Sequence, residues 1–213
     1  MKSILLLPLL YFMAIPAGTH PKAWHGTPQS IPGRVECELY DEGGPEVAYH
    51  DNDSVNNGSG KLNPVNGNPL NKFRIKEGVD ISYTKSGGID DTEYDKVKRD
   101  IGQLYVGWTE PGEWINYTVN VKESAKYRID LMYTSNRGGS ISFDIDGKKA
   151  TDPLKITTTN DSRDTIAWRQ WHHWNMMKPL GEIDLKKGIH ILKLRVVENG
   201  NMNFDYLEFV KMH

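Results

Sequence analysis

Residues 115–147 read INYTVNVKESAKYRIDLMYTSNRGGSISFDIDG. Ile115, Tyr117, Val119 and Val121 alternate with polar residues. Tyr127, Ile129, Leu131 and Tyr133 repeat the pattern, and Ile141, Phe143 and Ile145 repeat it again before Asp146-Gly147. Successive side chains of a strand point to opposite faces, so alternation of β-branched and aromatic residues with polar ones marks half-buried strands. The Asp-Gly pair favours a tight hairpin. Further along, Ile189, Ile191, Leu192, Leu194 and Val196 form another such run, and Leu207 and Phe209 close the chain. Turn signals recur between the runs at Ser124-Ala125, Arg137-Gly138-Gly139, Lys187-Gly188 and Asn199-Gly200. Many short strands at this spacing predict an all-β chain folded as a two-sheet antiparallel sandwich.

One stretch breaks the rhythm. Residues 61–103 hold two Asn/Pro/Gly clusters, one strand-like run (Val79–Tyr83) and a charged segment from Asp90 to Asp100. They are expected to form a long decorated loop on a sheet edge, in which Asp90-Asp91-Thr92 could cap a short helix through Tyr94–Lys98.

The chain of 213 residues is long enough for one domain with a real core. Twenty-six basic against 28 acidic residues give a net charge of -2, which offers no electrostatic footprint for nucleic acid or an anionic membrane. Cys37 is the single cysteine, which excludes an intramolecular disulfide and a cysteine-based zinc site.

Residues 1–18 carry Lys2, an apolar run over Ile4–Ile15 and then Pro16-Ala17-Gly18. A basic start, a short apolar run and small residues describe a signal peptide, and the run is shorter than the roughly 20 residues that span a bilayer. The expected destination is secreted, periplasmic or at the cell surface. Residues 19–30 (THPKAWHGTPQS) read as a linker in which Trp24 either staples to the domain or, as is more usual for a stray aromatic, stands exposed to solvent, so that residues 31–213 form the folded domain.

Glu36 and Glu38 stand two apart in the first strand and therefore share a face, with Cys37 on the other. Asp205 in the last strand becomes a third carboxylate if the terminal strands pair. Hard oxygen ligands of this kind suit calcium. The other reading leaves both glutamates facing solvent on an edge strand.

The tryptophans form a second constellation. Trp108 and Trp114 flank an acidic turn (GWTEPGEW), where Pro111-Gly112 puts Trp108 on a loop. Trp168, Trp171 and Trp174 cluster in WRQWHHW, with Trp168 expected to begin a strand at a sheet end. Trp114 and Trp171 fit core positions within strands. Sugar rings stack on exposed indoles through their C–H faces, a use open to Trp108 and Trp168. His172 and His173 are adjacent, so on a strand they face opposite sides; they are expected as surface histidines. Catalysis would need two carboxylates about 5 to 9.5 Å apart across a sugar cleft. Glu110 and Glu113 straddle one turn instead of facing each other, and phosphate-loop, serine-elbow and HExxH motifs are absent.

The segments IPGRVECELYD, EVAYHDND, NNGSGK, EGVDI, YVGWTEPGEWINYTVNV, WRQW and NFDYLEF, in this order, resemble the family 6 carbohydrate-binding modules from Ile31 to Val210. The resemblance implies a galactose-binding-like jelly roll with a structural calcium that binds polysaccharide or oligosaccharide without cleaving it. It implies calcium ligands at Glu36, Glu38 and Asp205, a sugar held between Trp108 and Trp168, and hydrogen bonds to that sugar from Asn203. Tyr49 and His50 fall where the family has a polar contact. Many relatives have Tyr at the position of Trp108 and a short connection in place of residues 61–103. A module of this kind works alone or targets a separate glycan-degrading enzyme; the alternative is a small jelly-roll hydrolase or lyase using Glu110 and Glu113.

Overall fold

The computed structural model describes residues 20–58 and 68–212. The expected signal peptide and the centre of the first Asn/Pro/Gly-rich stretch lie outside them. The strands are β1 (Gln29–Ile31), β2 (Gly33–Glu36), β3 (Tyr49–His50), β4 (Ile81–Tyr83), β5 (Leu104–Val106), β6 (Trp114–Val121) and β7 (Ala125–Ser135). They continue with β8 (Gly139–Ile145), β9 (Lys148–Lys149), β10 (Leu154–Ile156), β11 (Asn175–Leu185), β12 (Gly188–Glu198) and β13 (Met202–Lys211).

Two sheets face each other. One runs β1-β6-β12-β8-β10, with β3 also on β6 and β9 on β8; the other runs β11-β7-β13-β5-β4, with β2 also on β13. The strand pairs are antiparallel except β1 with β6. The alternating residues of the opening stretch meet in one core: Ile115, Tyr117, Val119 and Val121 from one sheet, Tyr127, Ile129, Leu131 and Tyr133 from the other, joined by Phe143 and Leu194. Asp146 and Gly147 both take positive φ, the geometry a two-residue hairpin requires. Ile189 is 57% exposed, because the inward residues of β12 are Leu192, Leu194 and Val196.

The last strand carries a break that matters for the site. Phe204 pairs with Tyr133 and Tyr206 with Met132, so Asp205 is an extra residue in the ladder. The bulge flips the inward parity, and Met202 and Phe204 before it face the same core as Leu207 and Phe209 after it.

Four local expectations are corrected. Residues 20–30 pack on the sandwich instead of linking to it: Lys22 bridges to Glu42, β1 lies in the sheet, and Trp24 packs 5.5 Å from the ring of Phe73 under the guanidinium of Arg74. Residues 165–171 form turns, not a strand; the strand begins at Asn175. Trp174, not Trp171, is the fully buried indole of this segment. Tyr94–Lys98 is irregular rather than helical, because Asp90 is committed elsewhere: its carboxylate accepts from Lys85 N–H and Trp174 Nε1 at 2.8 Å each. Among the described residues, no helix is long and apolar enough to cross a membrane.

Candidate functional site

The expected calcium ligands come together. Glu36 ends β2, Glu38 follows in the turn, and β2 pairs with β13 so that Glu36 lies opposite Tyr206, beside Asp205. The Cys37 N–H donates to the Asp205 carbonyl at 2.8 Å and locks the approach. One carboxylate oxygen from each of Glu36, Glu38 and Asp205 lies within 4.8 Å of the others. Glu38 Oε2 is buried without a hydrogen-bond partner, an arrangement that is costly unless a cation is shared. Burial pushes Glu38 well above its ordinary range and Asp205 up to about 7. The donor set therefore fits a hard divalent cation such as calcium.

At the loop end of the sandwich, Trp108 follows β5 with φ +47 and is half-buried. Its backbone N–H donates to Asn203 Oδ1 at 3.1 Å, and Asn203 Nδ2 donates to Thr134 Oγ1 at 2.9 Å. Asn203 is fully buried. With both ends of its amide engaged, it positions Trp108 and does not present hydrogen bonds to a sugar, a correction to its expected role. Gly107 is required here: a Cβ would lie 2.8 Å from Asn203 Oδ1.

Trp168 is 57% exposed. Trp108 and Trp168 are linked by two intervening rings. Trp108 lies 6.3 Å from Tyr105, Tyr105 5.9 Å from His172, and His172 6.5 Å from Trp168. His172 is buried, with Nδ1 3.0 Å from Asp90 Oδ1 and Nε2 3.3 Å from the Tyr105 hydroxyl. His173 is buried beside Asp164. The pair is thus internal scaffolding, not surface histidines.

Tyr49 is also corrected: it is 4% exposed, packs edge-on against Tyr40 and accepts from Gly78 N–H at 3.1 Å, so it belongs to the core. His50 is partly exposed but stacks on Trp114 at 6.4 Å and meets Glu46 at 2.5 Å. Lys193 Nζ lies 3.5 Å over the ring of Trp114, which is half-buried in β6 and does not belong to the core.

Sequence reasoning missed a pocket of about 240 Å³ beside Trp108, into which Asp51, Asp53, Asn57, Asp80, Glu110 and Asn201 also open. Its acids come from three separated stretches, which no local motif reveals. Burial raises Asp51 to about 6 and Asp80 to about 7. Glu113 closes the pocket floor and is raised to about 8 by burial and then by the charge of Asp51. Its two oxygens accept from the N–H groups of Glu110 and Asn52 at 2.7 and 3.3 Å, so it ties two loops together.

A sequence profile described as "Carbohydrate binding module (family 6)" matches residues 80–211. No curated protein sequence matches the chain. Among solved structures, a β-1,3-glucan-binding family 6 module from Bacillus halodurans aligns at 16% identity and TM-score 0.48, over 86% of this chain and 98% of that one. A module of Cellvibrio mixtus lichenase 5A with cellotriose aligns at 20% identity and TM-score 0.44, over 63% and 88%. A family 43 arabinoxylan arabinofuranohydrolase from Bacillus subtilis aligns at 15% identity and TM-score 0.49 over 87% of this chain, which spans only 28% of that enzyme.

Proposed function

The chain belongs to family 6 of the carbohydrate-binding modules, and on that premise we propose that it binds neutral polysaccharide without cleaving it, on the surface framed by Trp108 and Trp168. The observation that carries this is the open indole of Trp168 joined through His172 and Tyr105 to the half-open indole of Trp108. An indole this exposed costs hydration free energy, and the C–H face of a pyranose relieves it; each such stack contributes about 1 kcal/mol by analogy with aromatic pairs.

The pocket beside Trp108 supplies hydroxyl acceptors from Asp51, Asp53, Asp80 and Glu110 and amides from Asn57 and Asn201. Each hydrogen bond adds about 1 kcal/mol net. The carboxylates also repel uronic or sulfated sugars, which supports neutral glycans such as xylans, β-glucans or galactans. A site of this size supports affinities of about millimolar to micromolar.

Glu113 spends its oxygens on loop N–H groups and Glu110 lies on the same turn, which favours binding over hydrolysis. Calcium on Glu36, Glu38 and Asp205 would supply positive charge that ties β2 to β13. In this reading the chain is exported by residues 1–18 and holds itself or a separate glycan-degrading enzyme on its polysaccharide.

Affinity electrophoresis through gels containing neutral, uronate-bearing or sulfated polysaccharide tests the proposal. Retardation by at least one neutral polymer and not by the acidic ones is expected. Free migration in all of them, or new reducing ends that vanish in Glu113→Gln, would overturn it.

A further inference from the structure

We propose that Arg99 is a built-in cation for the Glu36, Glu38 and Asp205 cluster, so that this arginine and calcium exclude one another; the inference rests on the calcium reading above. Arg99 comes from the loop of residues 84–103 between β4 and β5. Its side chain is 8% exposed, and Nη2 forms an ion pair with Oδ2 of Asp205. The guanidinium carbon lies 5.4 Å from the ring centre of Trp174 and 5.9 Å from that of Tyr206. Its Nε has no hydrogen-bond partner. Charge and ring faces hold this side chain in place.

Position sets the competition. The buried guanidinium of Arg99 is paired with one of the three carboxylates that would ligate the ion, so an ion drawn to Glu36, Glu38 and Asp205 meets a positive charge already seated on its third ligand. Two cations sharing a buried site repel each other, and an oxygen engaged in a charge-assisted contact is less free for an ion. Arg34, with its guanidinium 4.0 Å over the Tyr206 ring, is exposed to solvent and screened by it, so Arg99 is the cation that the ion has to displace.

The loop offers it a destination. Arg99 also lines a cavity of about 420 Å³ shared with Asp90, Asp91 and Asp95. The same loop grips the Trp168 segment: the Gly88 carbonyl accepts from Arg169 Nη1, and the Tyr94 hydroxyl donates to the Arg163 carbonyl at 3.1 Å. Calcium entry therefore loosens residues 84–103 over the face that carries Tyr105, Trp174 and Tyr206.

Calorimetric titration of the full chain with calcium chloride, for wild type, Arg99→Met, Arg99→Lys and Glu38→Gln, tests this. Arg99→Met should bind calcium about tenfold or more tightly than wild type, because no charge-assisted contact has to break first. Arg99→Lys should stay within a few-fold of wild type, and Glu38→Gln should lose binding. In wild type alone, calcium should speed hydrogen exchange in residues 84–103, a measurement that does not depend on the variants folding. Equal or weaker binding by Arg99→Met, or unchanged or slower exchange in the loop, would overturn the competition while leaving the calcium site standing. No binding heat from wild type or from Arg99→Met would overturn both.

Discussion

Trp108 and Asn203, 95 residues apart, are joined by a hydrogen bond of 3.1 Å from the indole residue's backbone N–H to the buried amide oxygen. The bond fixes a loop in the left-handed region that non-glycine residues seldom occupy. It ties the Trp108 loop to the strand that bulges at Asp205.

Asn203→Ala should therefore weaken glycan binding although the side chain touches no sugar. It frees the Trp108 N–H and leaves Thr134 Oγ1 without its donor, at a stability cost of about 1–3 kcal/mol. Gly107→Ala should loosen the platform in the same way, since its Cβ collides with the Asn203 oxygen. Glycan titration and urea unfolding of both variants check this; wild-type affinity in both would show that Trp108 needs no such anchor.

The two tryptophans of one turn-rich segment should behave oppositely. Trp174 is fully buried with Nε1 bonded to Asp90, so Trp174→Ala should cost about 3–5 kcal/mol. Trp168→Ala removes an exposed ring and should change stability by less than about 0.5 kcal/mol. Equal losses on thermal unfolding would contradict this division of labour.

Stability should fall with rising pH through a window set by Glu113. Burial raises it from 4.5 to about 8, so between those values the folded chain keeps a proton that the unfolded chain has lost. The contribution is fully present below about 4.5 and is lost as pH rises through about 8. Urea unfolding of wild type against Glu113→Gln across that range should show a steeper decline in wild type. Parallel curves would mean that the buried carboxyl is ionised throughout.

Calcium removal should lower the melting temperature of wild type, and hardly that of Glu38→Gln, whose altered side chain removes a central ligand. A chelator scan in differential scanning fluorimetry reads this directly. An unmoved wild type would contradict a calcium ion on these three carboxylates.

The sandwich was legible because period-two alternation in residues 115–147 translates directly into inward and outward faces. The carboxylate cluster was legible from residue type and strand ends, although Glu38 proved to lie in a turn. What stayed hidden depends on contacts across distant segments. Asn203 looks like a free polar residue until Trp108 claims it, and Asp90 looks like a helix cap until Trp174 and His172 claim it. The pocket acids Asp51, Asp80 and Glu110 are scattered in sequence, and the role of Arg99 shows only once its loop folds back on β13.

Isothermal titration of a soluble neutral polysaccharide into wild type, Trp108→Ala and Trp168→Ala, with far-ultraviolet circular dichroism as the control for folding, bears most directly on the site. Loss of binding in both variants with unchanged spectra is the predicted result. Wild-type affinity in both would contradict it and move the glycan to another surface.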